Sequence, residues 1–144
     1  MARPLPEPVL FLDECLGSTD VPMTLREMGV RVELLHDHFE ADTADPVWLA
    51  AVGKLGWVVL TKDQRIRRRR AELQALLDAG VAAFVLASGN LTGKATAAAF
   101  VQAYPRMRKL LRDHELPFVA RVDARGTVKL LTAAVRRAGK RKEP

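Results

Sequence analysis

Five carboxylates stand where an acid could do chemistry. Asp13 and Glu14 follow the apolar run Val9-Leu10-Phe11-Leu12, and Asp63 follows Trp57-Val58-Val59-Leu60 by way of Thr61-Lys62. Asp45 precedes Pro46 at the head of an amphipathic stretch, with Asp42 in the same loop. If the two apolar runs are parallel strands, their carboxyl ends share one edge, and that edge is where such sheets bind ligands. The start of a crossover helix lies near the same edge, which brings Asp45 there. Like charges gathered in this way repel at a cost that a cation removes, and oxygen ligands favour Mg²⁺ or Mn²⁺ over zinc. Each acid also has a plainer use. Asp45 before Pro46 makes a good helix N-cap, Asp13 and Asp63 suit strand-end turns, and Glu14 suits a solvated or supporting position.

Immediately after Asp63 comes Arg65-Ile66-Arg67-Arg68-Arg69-Arg70. A helix in register with Leu73, Leu76 and Leu77 would turn Arg69 and Arg70 onto its apolar face. The helix is therefore expected either to project beyond the core or to start later, leaving the arginines displayed beside the acids. Lys62 and Arg65, Arg67, Arg68, Arg69 and Arg70 would suit phosphate oxygens, since guanidinium forks match phosphate geometry; the bland reading is a solvated charge run. Arg106, Arg108, Lys109 and Arg112 form a second basic cluster that either extends this footprint or solvates a helix. Ser88 ends another apolar run and could bind phosphate or water, or simply form a turn. His36-Asp37-His38 has the look of a metal motif, but the two histidines need not converge. Trp48 and Trp57 read as core, and Cys15 as a small filler beside the site.

These residues need elements to hold them. Strands are expected at Val9 to Leu12, Val30 to Leu35, Trp57 to Leu60 and Val81 to Ala87, with helices over Val21 to Met28, from Asp45-Pro46 through Lys54, up to Ala79, and from Thr92 to about His114 with Pro105 inside it. His36 to Thr43 reads as a polar loop. Phe118 to Val122 and Thr127 to Leu131 read as a hairpin around Asp123 to Gly126. Strands alternating with helices imply right-handed crossovers and a mostly parallel sheet covered on both faces, with the hairpin adding an antiparallel edge.

Composition bounds the rest. The chain's 144 residues are 49% hydrophobic, enough for one core, and the net charge of +6 hides a division. Residues 1–61 hold 4 basic and 10 acidic residues, whereas 62–144 hold 19 basic and 7 acidic. One cysteine excludes an internal disulfide and a multi-thiolate metal site, and fits a reducing cytoplasm. No apolar run approaches the roughly 18 residues of a membrane span, and MARPLPEP has no apolar signal core, so neither membrane insertion nor secretion is expected.

Phe11-Leu12-Asp13-Glu14, Asp45-Pro46-Val47-Trp48-Leu49 and Gly56-Trp57-Val58-Val59-Leu60-Thr61-Lys62-Asp63-Gln64-Arg65-Ile66 together resemble the PIN-like domains grouped with VapC-type toxins. The likeness runs over residues 9–131, and its most specific element is the strand end WVVLTKD. It implies a PIN-like three-layer α/β/α sandwich over residues 8–132, followed by a basic tail at 133–144 that lacks the apolar content to pack. It also implies a small Mg²⁺- or Mn²⁺-dependent ribonuclease acting on RNA, neutralised by a cognate antitoxin. By position, Asp13, Asp45 and Asp63 would be the catalytic, metal-binding acids, with Glu14 a further candidate and Thr61 and Ser88 supporting them. A homodimer is open. The sequence departs from the fuller pattern in having Ser88-Gly89-Asn90, and no acid, after strand four. Two other readings stay open: a catalytically silent PIN-like module that binds nucleic acid or antitoxin, and a receiver-like phosphoacceptor domain built on Asp13, Glu14, Asp63 and Ser88. The second lacks the lysine that a receiver needs at the end of strand five.

Overall fold

The charges that cut off each apolar run mark strand ends. In the computed structural model, which describes residues 7–63, 69–87 and 90–133, the strands are β1 (Val9–Leu12), β2 (Arg31–Leu34), β3 (Val58–Thr61), β4 (Ala82–Leu86), β5 (Phe118–Val122) and β6 (Val128–Ala133). The helices are α1 (Asp20–Glu27), α2 (Leu35–His38), α3 (Asp45–Leu55), α4 (Arg70–Ala79) and α5 (Gly93–Asp113), the last with Pro105 inside it. A 3-10 turn, Glu14–Leu16, follows β1.

The sheet order is β2-β1-β3-β4-β5-β6, parallel throughout except for β6, which pairs antiparallel with β5. The expected hairpin therefore does two jobs: its first strand completes the parallel sheet and only its second is an antiparallel edge. Alternation along each strand sends neighbouring residues to opposite faces. Leu10, Leu12, Leu60 and Phe84 enter a core shared with Leu25 of α1 and Phe100 of α5. Phe11, Val59, Ala83 and Val85 enter a second core with Trp48, Leu49 and Val52 of α3 and Leu76 of α4. Two cores on two faces are the three layers of an α/β/α sandwich.

Two expectations need correcting, and one left open is decided. The stretch expected as a loop from His36 begins with a helical turn, α2. Asp45 is not the N-cap of α3 but its first residue: Ala44 is the cap, and its carbonyl already accepts from the N–H groups of Val47 at 3.0 Å and Trp48 at 3.4 Å. The carboxylate of Asp45 accepts a side-chain N–H one turn along α3 instead. The start of α4, left open between two alternatives, falls late, at Arg70. α3 and α4 approach closely at Gly53, where an added Cβ would lie 2.0 Å from the carbonyl oxygen of Ala79.

Candidate metal centre and nucleic-acid edge

The sheet order makes β1 and β3 neighbours, so their carboxyl ends meet. Asp13 leaves β1 and donates its backbone N–H to Leu60 of β3 at 3.0 Å. Its Oδ2 accepts a hydrogen bond from Thr61 Oγ1 at 2.8 Å and a longer one from Cys15 Sγ at 3.6 Å. Thr61 is fully buried, and its hydroxyl oxygen also accepts the backbone N–H of Asp63 at 3.0 Å. One hydroxyl thus ties the first acid to the backbone of the last. Cys15 Sγ lies 3.3 Å from Thr61 Oγ1 and accepts the N–H of Lys62 at 3.4 Å.

Burial pushes the Asp13 carboxyl above its ordinary value of 3.8. Hydrogen bonds from Thr61, Cys15 and the backbone of Glu14 pull the other way, and the negative charge of Asp45 pushes further up. The Cys15 thiol is also pushed up, first by burial and then by the Asp13 charge. Asp13 is therefore a half-buried carboxylate with a second carboxylate in electrostatic reach and no cation side chain bonded to it among the described residues. A hard divalent ion would relieve this arrangement.

Asp45 lies in the first turn of α3, where its Oδ1 accepts the indole N–H of Trp48 at 3.0 Å. Asp63 follows β3 and is half-buried. Glu14 goes elsewhere: it is exposed and lines a small cavity with Leu12, Gly17, Ser18, Leu34, Leu35 and His36, on the β2 side of β1. Asp42 is exposed in the loop before α3. Among the described residues, no three His, Cys, Asp or Glu side chains converge closely enough to enclose an ion. Mg²⁺ does not require such a cage, because it is commonly held by one or two carboxylates with water and phosphate completing the shell. The donors present fit that mode. They are not all oxygen, however, since a thiol stands beside Asp13.

Lys62 is half-buried, while Arg69 and Arg70 are exposed at the head of α4, with Arg69 at 4.0 Å from Glu72. Arg65, Arg67, Arg68 and Ser88 lie outside the described residues, as does 134–144 of the expected tail. The second basic cluster is largely committed within the domain. Arg106 donates to the carbonyl of Gly126, Arg108 pairs with Glu7, and Lys109 and Arg112 pair with Asp113. His36 pairs with Asp37 while His38 bonds Glu33, so the two histidines do not share a ligand.

Sequence reasoning took Trp48 and Cys15 as packing residues and missed their polar work. The signals were present as spacings: Trp48 is one helical turn from Asp45, and Cys15 is two residues from Asp13.

Over residues 8–88, more than half its length, the chain matches the family described as PIN like domain. The chain belongs to the PIN-like domain family. The match spans β1 to β4 and takes in Asp13, Asp45, Thr61 and Asp63. This PIN-like domain is also 28% identical over 126 residues to the Mycobacterium tuberculosis (strain ATCC 25618 / H37Rv) protein named "Putative ribonuclease VapC45", covering 85% of this chain and 91% of that protein. No solved structure matches the chain. The described residues contain no helix long and apolar enough to cross a membrane.

Proposed function

We propose that this PIN-like domain is a metal-dependent endoribonuclease that hydrolyses RNA phosphodiester bonds, and that it acts in the cytoplasm as the toxin of a type II toxin-antitoxin pair. The observation that carries the reading is Asp13: a half-buried carboxyl at the carboxyl end of β1, its Oδ2 held by Thr61 and Cys15, its pKa raised by burial and by the charge of Asp45. Family membership and the ribonuclease name of the relative support the reaction class.

Asp13, Asp45 and Asp63 would hold Mg²⁺ or Mn²⁺, which when bound supplies a water of lowered pKa and neutralises charge on the attacked phosphate. The chain's own residues prepare that site. Thr61 and Cys15 hold Asp13 Oδ2, and Thr61 fixes the backbone of Asp63 in the same stroke. Glu14, which lines a separate cavity, is left out of the metal set. Lys62 and the arginines at 65 and 67–70 would orient the RNA backbone, and Ser88 would support the edge. These contacts position a strand without reading it.

A second reading is a catalytically silent module that binds nucleic acid or an antitoxin. It draws on the finding that no three ligands converge among the described residues. Cleavage of total cellular RNA in Mn²⁺, Mg²⁺ or EDTA, run beside Asp63→Asn, separates the two. The nuclease reading expects cleavage that EDTA stops and Asp63→Asn abolishes without unfolding. Salt-sensitive RNA binding with no metal-dependent cleavage would establish the silent module instead.

A further inference from the structure

The middle acid is held by a residue that the core would also explain. Trp48 is only 2% exposed and sits among the rings of the second core, its centroid 5.5 Å from that of Phe11. Phe11 lies on β1 two residues before Asp13 and also stacks on Trp57 at 5.8 Å. An indole offers one N–H and no acceptor, and a buried one needs a partner. Trp48 spends that N–H on Asp45 Oδ1 at 3.0 Å, across the i to i+3 spacing of one helical turn. A phenylalanine or leucine would pack in this cluster without any such bond.

This bond has a consequence for the acid. Asp45 is the first residue of α3 rather than its cap, and among the described residues no backbone N–H holds its carboxylate. The indole does, and it ties that carboxylate to the aromatic cluster from which β1 delivers Asp13. Oδ2 of Asp45 makes no hydrogen bond among the described residues, and the Asp45 charge is felt at Asp13.

We propose that Trp48 is a positioning residue: its indole N–H holds the Asp45 carboxylate in place for a hard divalent cation shared with Asp13. The proposal rests on the metal reading above. Partners of this kind typically change metal affinity by roughly 10- to 100-fold when removed.

Calorimetric Mn²⁺ titration of the full-length wild type, Trp48→Phe, Trp57→Phe and Val52→Ala tests it. Trp48→Phe should weaken Mn²⁺ binding by at least about tenfold. Trp57→Phe and Val52→Ala, which disturb the same aromatic and aliphatic packing, should leave affinity within about threefold, well short of that loss. In the Trp57→Phe protein Trp48 is the one remaining tryptophan, and its indole N–H resonance should shift as Mg²⁺ is added. Folded Trp48→Phe binding Mn²⁺ like wild type would overturn the proposal, and so would an unmoved indole resonance at saturating Mg²⁺ or an equal loss of affinity in Val52→Ala. If Trp48→Phe does not fold, the resonance decides. Wild-type protein that binds no Mn²⁺ would refute the metal site itself, whereas the other outcomes refute only the role of Trp48.

Discussion

Thr61→Val removes one oxygen atom from a side chain that water does not reach, and it separates the hydroxyl's work from its volume. Thr61 is 0% exposed, donates to Asp13 Oδ2 at 2.8 Å and accepts from Asp63 N at 3.0 Å. Valine would leave a carboxylate without its closest donor and a backbone N–H without its acceptor. A hydrogen bond to a charged group contributes about 1.5–3 kcal/mol and an orphaned buried donor costs about 1–3 kcal/mol. Asp13 is only half-buried and can recruit water, so the expected loss is about 2–4 kcal/mol, a large part of a typical domain's stability. For a chain of this size that corresponds to a fall in melting midpoint of roughly 6–12 °C. The penalty should depend on pH in one direction. The Thr61 hydroxyl favours ionised Asp13, so its loss raises the Asp13 pKa further and matters most where that carboxyl is ionised; the penalty should shrink as pH falls through the raised pKa towards 3.8. Melts followed by circular dichroism at neutral and mildly acidic pH measure both effects, with Thr61→Ser as the control that keeps the hydroxyl. Thr61→Val melting within about 3 °C of wild type at neutral pH, roughly 1 kcal/mol, would refute the claim that this hydroxyl organises the edge.

Two further substitutions probe the same layers. Asp13→Asn should raise stability at neutral pH in metal-free buffer, because it deletes a charge that burial disfavours. The sign follows from proton binding: the folded state holds the Asp13 proton more tightly than the unfolded chain, so wild-type stability falls as pH rises between 3.8 and the raised value and is level above it. The advantage of the variant should therefore fade on acidification, and equal melting midpoints at neutral pH would contradict it. Gly53→Ala should destabilise by about 1–3 kcal/mol, as overpacking does, since its Cβ would meet the Ala79 carbonyl oxygen at 2.0 Å and backbone must move; urea unfolding with an unchanged midpoint would show that α3 and α4 separate freely.

The strands were readable because each apolar run stops at a charge or a turn residue: Leu12 at Asp13, Thr61 at Lys62-Asp63, Val122 at Asp123. The acids were readable for the same reason. The bonds between them were not, because Asp13 and Thr61 are far apart in sequence and only the placement of β1 beside β3 makes them neighbours. Asp45 shows a local failure. Asp-Pro suggested a cap, yet the helix begins one residue earlier at the Ala44 carbonyl, and the carboxylate is drawn to a tryptophan whose apolar company had marked it as core. Spacing alone likewise left open whether the four basic residues of α5 extend the footprint or solvate a helix. Their partners, Gly126, Glu7 and Asp113, include two that lie far along the chain.

The division of charge between residues 1–61 and 62–144 acquires a physical sense at this edge. The acidic part sets Asp13 within electrostatic reach of Asp45, and the basic part begins at Lys62, whose backbone N–H is already tied to Cys15 beside Asp13. An edge that costs stability when empty gains it back from whatever neutralises it, in proportion to RT ln(1 + [L]/Kd), about 2.7 kcal/mol at a hundredfold excess over Kd. The same charge that makes wild-type protein less stable than Asp13→Asn in metal-free buffer must therefore make it the more responsive of the two to Mn²⁺. The order of their melting midpoints should close or invert as Mn²⁺ is added; a constant gap across the titration would mean that Asp13 is a buried structural acid and that the cation, if any, sits elsewhere.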